Sequence, residues 1–576
     1  MRSPAFDPRR LAALLAGTSA LLAAPPVDAP HLPLSELTPG QRGEVWTVFR
    51  GTEPEPFGVV VTGVIRNGLG PGKSLIVCEL TDPRVQPMGA VAGMSGSPLY
   101  VDGKLAGALS YQIQRFETVR HAGFTPVADL EEVRVLPVSG DRLGGGATGM
   151  NAPQPLQPAF SLAGLSPVAS AALAPLLAAH GIGPVIPGGV AAPAAGGAAS
   201  PGPRLVPGGA VAVALATGDI SLAATGTVSV VRGREVVAFG HPLLSLGEVA
   251  LPLCEAEVLT ILPSQMQSVK VANIGPVIGT IRQDRLSAVA GELGPGPAMI
   301  PVEITRPGGA APLRFAAARH PQLAPLVVGA GVSQAVLGAN DAGFHEGFRV
   351  ASHLIFPGGL EWRQNVLHAG AQGFAQALGE LVQSLGAVLQ NPLGRVFPES
   401  IRLEVEALRD PPGITLDRFV LSRATVAPGA ALTAELAWRD AQGRNAHLSV
   451  PVPVASEWSG RTLEVVLAPG RVLDELSGRP RSVPAAELRS LAAYLRFLQT
   501  ERRRDGLFIA VLQRATLLTD QTRPTVDTPA SLERIARTAD DTRYQRRESS
   551  VVLWETHALP EKLSPAVFRR ALVVAE

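Results

Sequence analysis

Two cysteines in 576 residues cannot build a disulfide framework. Cys78 and Cys254 could form a single bond in an exported compartment, or stay separate as buried thiols, since a free cysteine packs like a small hydrophobe. Charge is equally sparse. Lys, Arg, Asp and Glu make up 17% of the chain and the formal net charge is +1, so no global field recruits nucleic acid or an anionic membrane. Beyond the N-terminus there is no uninterrupted apolar run of about 18 residues, which excludes a later helical membrane span. No His, Cys, Asp or Glu cluster has metal-ligand spacing. No Gly-rich loop has the lysine and the strand-to-helix setting of a phosphate cradle, so no cofactor is expected.

What is present begins with an export signal over residues 1–29. Arg2, Arg9 and Arg10 precede an apolar run over residues 11–24 that is short for a membrane span. Ala24 and Ala29 are each followed by proline, which leaves both cleavage and retention as an anchor open. The mature chain is expected in the periplasm or outside the cell, meeting a membrane only if the signal is kept.

Residues 33–135 read as β-rich. Runs such as Gly58-Val59-Val60-Val61-Thr62-Gly63-Val64-Ile65 and Ser74-Leu75-Ile76-Val77-Cys78-Glu79-Leu80 are separated by Asn67-Gly68 and Pro71-Gly72 turns, a spacing that suits a small barrel or sandwich. Residues 136–208 shift to Gly, Ala and Pro and read as a linker or insertion on the surface, with one helix over residues 162–180. The β pattern resumes over 209–355 and echoes the first half. Gly226-Thr227-Val228-Ser229-Val230-Val231 followed by Val236-Val237-Ala238-Phe239-Gly240-His241 lines up with Gly43-Glu44-Val45-Trp46-Thr47-Val48 followed by Phe57-Gly58-Val59. Two related half-barrels with a site between them would account for the echo.

Residues 356–400 read as a helical connector, carrying Phe374, Leu378, Leu381, Leu385 and Val388 at helical spacing. Alternation from Ile401 onward suggests a small immunoglobulin-like sandwich over 401–470. Residues 471–576 read as mixed, with a helix capped by Ser482 and a basic run, Arg502-Arg503-Arg504, at its solvated end.

The chemistry centres on Gly93-Met94-Ser95-Gly96-Ser97-Pro98, set between an apolar segment and a hairpin that turns at Asp102-Gly103. Small neighbours let the Ser95 hydroxyl stand at a sharp turn. The amides of Ser95 and of a glycine just before it can then point into one concavity and receive an oxyanion. A plain Gly/Ser-rich turn would share this composition. A nucleophilic serine needs a base, and that base needs an acceptor to orient it. His241, in a Gly-His-Pro corner after an apolar strand, is the first candidate and His121 the second; the other eight histidines read as structural or surface residues. Asp82 is the first candidate acceptor, against an Asx turn or a pair with Arg84. Asp102 is its rival, although the hairpin turn suffices to explain Asp102.

Thr81-Asp82-Pro83-Arg84, Gly93-Met94-Ser95-Gly96-Ser97-Pro98 and Asp102-Gly103-Lys104 with Gly107-Ala108 closely resemble the SpoIVB peptidase family of serine peptidases. Phe239-Gly240-His241 resembles that family's Leu-Gly-His segment, and Asn273-Ile274-Gly275 with Ile278-Gly279-Thr280 the region after it. The resemblance covers about 33–135 and 210–340. It implies a mainly β, chymotrypsin-like double β-barrel, with Ser95 as nucleophile, His241 as general base, Asp82 as orienting acid, and the Gly93 and Ser95 amides as oxyanion hole. The family order is His, Asp, Ser, whereas here it is Asp, Ser, His, as if the halves were permuted. No PDZ-like segment precedes the region, so the family's sporulation substrate and regulation do not transfer. The expected function is therefore an exported serine endopeptidase acting on a protein or peptide substrate; the alternative is a noncatalytic envelope binding or assembly protein that keeps the peptidase fold.

Overall fold

The computed structural model describes residues 24–113, 119–136, 154–190, 205–307, 311–338, 346–370, 374–391, 393–394, 396–479, 490–520, 523–525, 531, 534 and 544–576. Residues 1–23 of the expected export signal lie outside the described residues. The protein is mainly β, with a closed six-stranded barrel and further sheets.

The barrel comprises β1 (Arg42–Thr47), β2 (Glu55–Ile65), β3 (Leu75–Leu80), β4 (Pro98–Val101), β5 (Lys104–Gln112) and β6 (His121–Pro126). They run in the order β4-β1-β2-β3-β6-β5, and pairing of β4 with β5 closes the ring. That hairpin is set locally: Asp102 and Gly103 take φ of 50° and 73°, the left-handed pair a two-residue turn needs. Period-two alternation turns Val45, Phe57, Val59, Val61, Ile76 and Phe124 into the barrel core. Helix α1 (Val127–Val135) leaves the barrel and seats Leu130 and Val133 against Val230, Val237 and Ala290 of the next sheet.

Four short strands follow, β7 (Gln154–Pro155), β8 (Ala159–Ala163), β9 (Val185–Pro187) and β10 (Gly189–Val190). The large sheet is then built on β11 (Ala210–Gly218), β12 (Ser221–Arg232), β13 (Glu235–Ala238), β14 (Gly247–Leu262), β15 (Val269–Arg285) and β16 (Ala288–Leu293), and pairing of β11 with β12 joins the two ends of this run. Beyond β11 it continues through β18 (Leu313–Ala318), β17 (Met299–Thr305), β21 (Ser400–Ala407), β19 (Phe348–Phe356) and β20 (Leu360–His368). Both members of the sequence echo are antiparallel hairpins, β1 with β2 and β12 with β13.

Four expectations fail here. The stretch 136–208 is not wholly a surface excursion. Strand β8 pairs with β12, and helix α2 (Pro167–Ala178) buries Leu173 and Leu177 beside Phe160 and Leu162 in the main core. An average composition rich in Gly, Ala and Pro concealed a few apolar residues spaced to pack; residues 137–153 and 191–204 lie outside the described residues. Residues 360–368 of the helical connector form strand β20, and the described helix spans Phe374–Leu389. Ile401-Arg402-Leu403-Glu404-Val405 belongs to β21, parallel to β17 and antiparallel to β19, not to a separate sandwich. Alternation tells which face is buried but not which strand lies alongside. Finally, the basic run lies beyond the helix, which ends at Gln499, and of its three arginines only Arg503 is exposed. Arg502 pairs with Asp474 and Glu555, Arg503 with Asp505, and Arg504 with Glu501. The preceding helix, Leu491–Gln499, is capped by Ser490, while Ser482 lies outside the described residues.

Downstream, a three-stranded sheet (Ile414–Leu421, Leu432–Asp440, Asn445–Val452) and a second sheet containing Thr462–Pro469, Gly506–Asp520, Tyr544–Pro560 and Phe568–Val574 share one core through Phe419, Leu436, Val465, Ile509 and Leu572. Cys78 and Cys254 are buried and free, and burial pushes both thiols up to about 12. No described helix is long and apolar enough to cross a membrane.

Candidate active site

The serine loop lies where the first barrel meets β12, β13 and β15. Gly93 and Gly96 take φ of 92° and 95°, and residues 89–101 are all buried. The loop is tied on every side. The Gly96 amide donates to Leu109 O at 2.7 Å, and Leu109 N returns a bond to Ser97 O at 2.9 Å. From the second sheet Thr227 N donates to Ser95 O at 2.8 Å, Thr227 Oγ1 to Gly93 O at 3.0 Å, and Ser229 Oγ to Gly96 O at 2.8 Å. Gly96 has no alternative. A Cβ there would stand 2.0 Å from Thr227 O and 2.5 Å from Phe239 N, both backbone atoms.

Within this frame some polar groups are left unsatisfied. Ser95 is 0% exposed, yet its Oγ has no hydrogen-bond partner among the described residues. The neighbouring amides of Met94 and Ser97 are used inside the loop, by Val91 O and Met94 O, whereas no acceptor among the described residues takes the amides of Gly93 or Ser95. Ser97 Oγ donates to Met94 O at 2.6 Å, a local structural bond. Buried polar groups are nearly always paired, so a cluster of unpaired ones calls for a functional reason.

His241 meets this loop from the other side. The corner before it is strained: Phe239, a bulky residue, takes φ of 71° and Gly240 takes 67°. Thr125 Oγ1 of β6 donates to Gly240 O at 2.7 Å, and the Cβ position of Gly240 lies 3.0 Å from Leu109 O, so the corner and the serine loop share the same strand, β5. The imidazole is 0% exposed. Its Nδ1 lies 2.7 Å from Pro242 O, and a carbonyl only accepts, so Nδ1 carries the proton and the neutral ring keeps a lone pair on Nε2. That Nε2 has no partner among the described residues. Burial lowers the imidazole to about 4, against the smaller raising effect of the Pro242 carbonyl. No hydrogen bond joins His241 to Ser95 in this closed arrangement.

Asp82 does not orient His241. Its Oδ1 accepts from the Arg84 amide at 2.8 Å, its Oδ2 from the Arg84 guanidinium at 3.0 Å, and Arg84 reaches on to Glu55 and over the Phe49 ring. The Arg84 hydrogen bond holds the Asp82 carboxyl below the usual carboxylate range. The acid assigned by resemblance is thus an Asx turn closed by an ion pair, because a carboxylate two residues before an arginine meets it before anything distant. Asp102 occupies the exposed hairpin turn, and His121 stands half-buried at the start of β6, opposite Glu79.

Two residues of the site escaped the sequence reading. Asp284 is buried and accepts from Leu243, Leu244 and Leu246 amides at 2.7, 2.9 and 3.0 Å, fixing the loop that follows His241. Burial raises its carboxyl despite these amides. Lys270 is 0% exposed, and its Nζ donates to Thr47 Oγ1 at 2.8 Å. Burial lowers it to about 7. A cavity of about 550 Å³ lies elsewhere, lined by Glu303, His353, Arg363, Arg402, Glu404 and Arg503 and by no residue of the serine loop. Among the described residues no group of three or more His, Cys, Asp or Glu is placed to hold a metal ion. Compared with known proteins, the chain matches no family model, no curated protein and no solved structure.

Proposed function

We propose that the protein is an exported serine endopeptidase, a double-barrelled relative of the chymotrypsin-like peptidases, with its downstream sandwich presenting it to a protein substrate. The observation that carries this reading is the set of unpaired polar groups at one residue, Ser95 Oγ with the Gly93 and Ser95 amides, together with a buried, unpaired His241 Nε2 in the corner that packs against the same strand. A loop that served only as a turn would pair them or exchange them for apolar groups. Ser95 Oγ would attack the substrate carbonyl carbon while its proton passes to a buried base. The Gly93 and Ser95 amides would stabilise the oxyanion, and its collapse would release the amine and leave an acyl-enzyme for water to hydrolyse. His241, with a free Nε2 lone pair, is the base that the resemblance nominates.

The same geometry favours a second reading, a noncatalytic envelope protein that retains the fold. Ser95 and His241 are both inaccessible, and the orienting carboxylate is missing from His241. Endopeptidase activity therefore requires the two sheets to part around residues 93–97. Reaction of the purified protein with a fluorophosphonate separates the readings. Labelling of the wild type and none of Ser95→Ala supports the peptidase; equal labelling, or none in either, supports the scaffold.

A further inference from the structure

Lys270 is joined to the serine loop through the backbone on both sides. Ala92 N donates to Ser268 O at 2.8 Å and Lys270 N donates to Ala92 O at 2.9 Å, which makes Ala92 and Val269 bridge partners. The lysine side chain then lies along the loop: a Cβ on Gly93 would stand 2.9 Å from Lys270 Cβ and 3.3 Å from its Cγ and Cδ. At the far end Nζ meets Thr47. Strand β1 runs antiparallel to β4, the strand that follows the serine loop, with Val45 opposite Leu99. The side chain therefore runs from beside Gly93 to Thr47, against the loop that carries Ser95.

No carboxylate pairs with this amine among the described residues, where its side-chain partner is the hydroxyl of Thr47. Burying an ammonium there without a counter-charge is unfavourable, so the fold favours the neutral amine, which has a lone pair to offer. His241 is worse placed to hold a proton. It lacks a carboxylate on Nδ1, and its conjugate acid forms only near pH 4, whereas burial leaves Lys270 near 7, where a general base is most effective.

We propose that Lys270 is the catalytic base of Ser95. The inference deepens the peptidase reading and rests on it, replacing His241 in a single role. In the closed structure Nζ is parked on Thr47 Oγ1. When a substrate opens the loop, rotation about the terminal side-chain bonds brings the amine to Ser95. The lone pair of Nζ takes the hydroxyl proton as Oγ bonds to the carbonyl carbon. On collapse, as the carbon–nitrogen bond breaks, the resulting ammonium returns that proton to the leaving amine, and Lys270 is neutral again. Serine–lysine pairs of this kind need no third carboxylate group.

The test is the second-order rate of fluorophosphonate labelling between pH 5 and 10 for the wild type, Lys270→Met, His241→Gln and Ser95→Ala, each checked for folding by its circular dichroism spectrum and melting temperature. Methionine keeps the unbranched chain up to the ε position and removes the amine, so Lys270→Met should fold. It should label at least about a hundredfold more slowly, as loss of a general base requires, and should lose the rise in rate centred near pH 7. His241→Gln should keep that rise. A Lys270→Met protein that labels at wild-type rate with the rise intact overturns the proposal while leaving Ser95 as nucleophile. So does loss of the rise in His241→Gln alone, which returns the role to His241. Absence of Ser95-dependent labelling in the wild type overturns the peptidase reading and this inference with it.

Discussion

Asp82 and Ser95 stand thirteen positions apart in one recognisable motif, and their surroundings are opposite. Asp82 lies in a satisfied surface turn, where both of its oxygens are taken by Arg84. Ser95 lies in a buried loop whose carbonyls are all claimed but whose hydroxyl is not. The Asp82 turn is closed by residues next to it in the chain. The Ser95 loop is closed by strands from the other half of the molecule, which supply scaffold bonds to its carbonyls and leave its hydroxyl without a partner. Unsatisfied burial, rather than the presence of acid, base and serine in one motif, is what separates the candidate site from the structural turn here.

The sharpest way to break this comparison is to mutate both residues. Ser95→Ala should abolish fluorophosphonate labelling, a loss of about a thousandfold or more, whereas Asp82→Asn should label within about tenfold of the wild type. Equal loss in both would restore Asp82 to the catalytic group. Next in size is Gly96→Ala, whose methyl would sit 2.0 Å from Thr227 O. Since backbone must move to admit it, the variant should lose about 3 kcal/mol in urea unfolding; a wild-type midpoint would mean the two sheets are not locked together at this loop.

A third pair of variants reads burial through pH. Lys270 has its folded value near 7 and an ordinary value of 10.5, so between these the unfolded chain binds the extra proton and stability rises with pH. Lys270→Met should therefore be more stable than wild type at pH 7 and below, by about 1–4 kcal/mol, and the gain should vanish toward pH 10.5. His241 falls to about 4 from 6.5 by burial, so wild type should lose stability as pH drops through that interval and His241→Gln should lose less. Melting temperatures against pH check both; parallel curves for wild type and variants would show that neither side chain is held neutral. The smallest effect is expected at the satisfied turn, where Asp82→Asn should cost about 1 kcal/mol or less, as exposed ion pairs do.

The serine loop was legible because its chemistry is local. Glycines at 93 and 96 and proline at 98 announce a sharp turn before a hairpin, and the structure has left-handed backbone at both glycines. The Asp82 turn was equally legible, as an Asx turn or a pair with Arg84. What displaced that reading was a family pattern, which gives spacing along the chain and not the carboxylate's nearest cation. Lys270 was hidden for a different reason. It stands between Val269 and Val271, and alternation would send the valines inward and the lysine to solvent. The structure inverts this, with Lys270, Ala272 and Ile274 buried and the valines half-buried. Only the arrival of the serine loop on that face turns a lysine in an apolar strand into an interior amine.

By itself the sequence determined the turns, the hairpins they close, and the apolar face of most strands, because each depends on backbone preference and side-chain alternation within about ten residues. Tertiary structure decided which strands lie side by side, drawing β21 into the large sheet and β8 against β12. It also decided which polar groups find partners. Ser95 and His241 come from different sheets, and whether each is satisfied depends on atoms far away in the chain that only folding brings near. Local preference is strong enough to shape a loop, but burial and pairing are properties of everything packed around it.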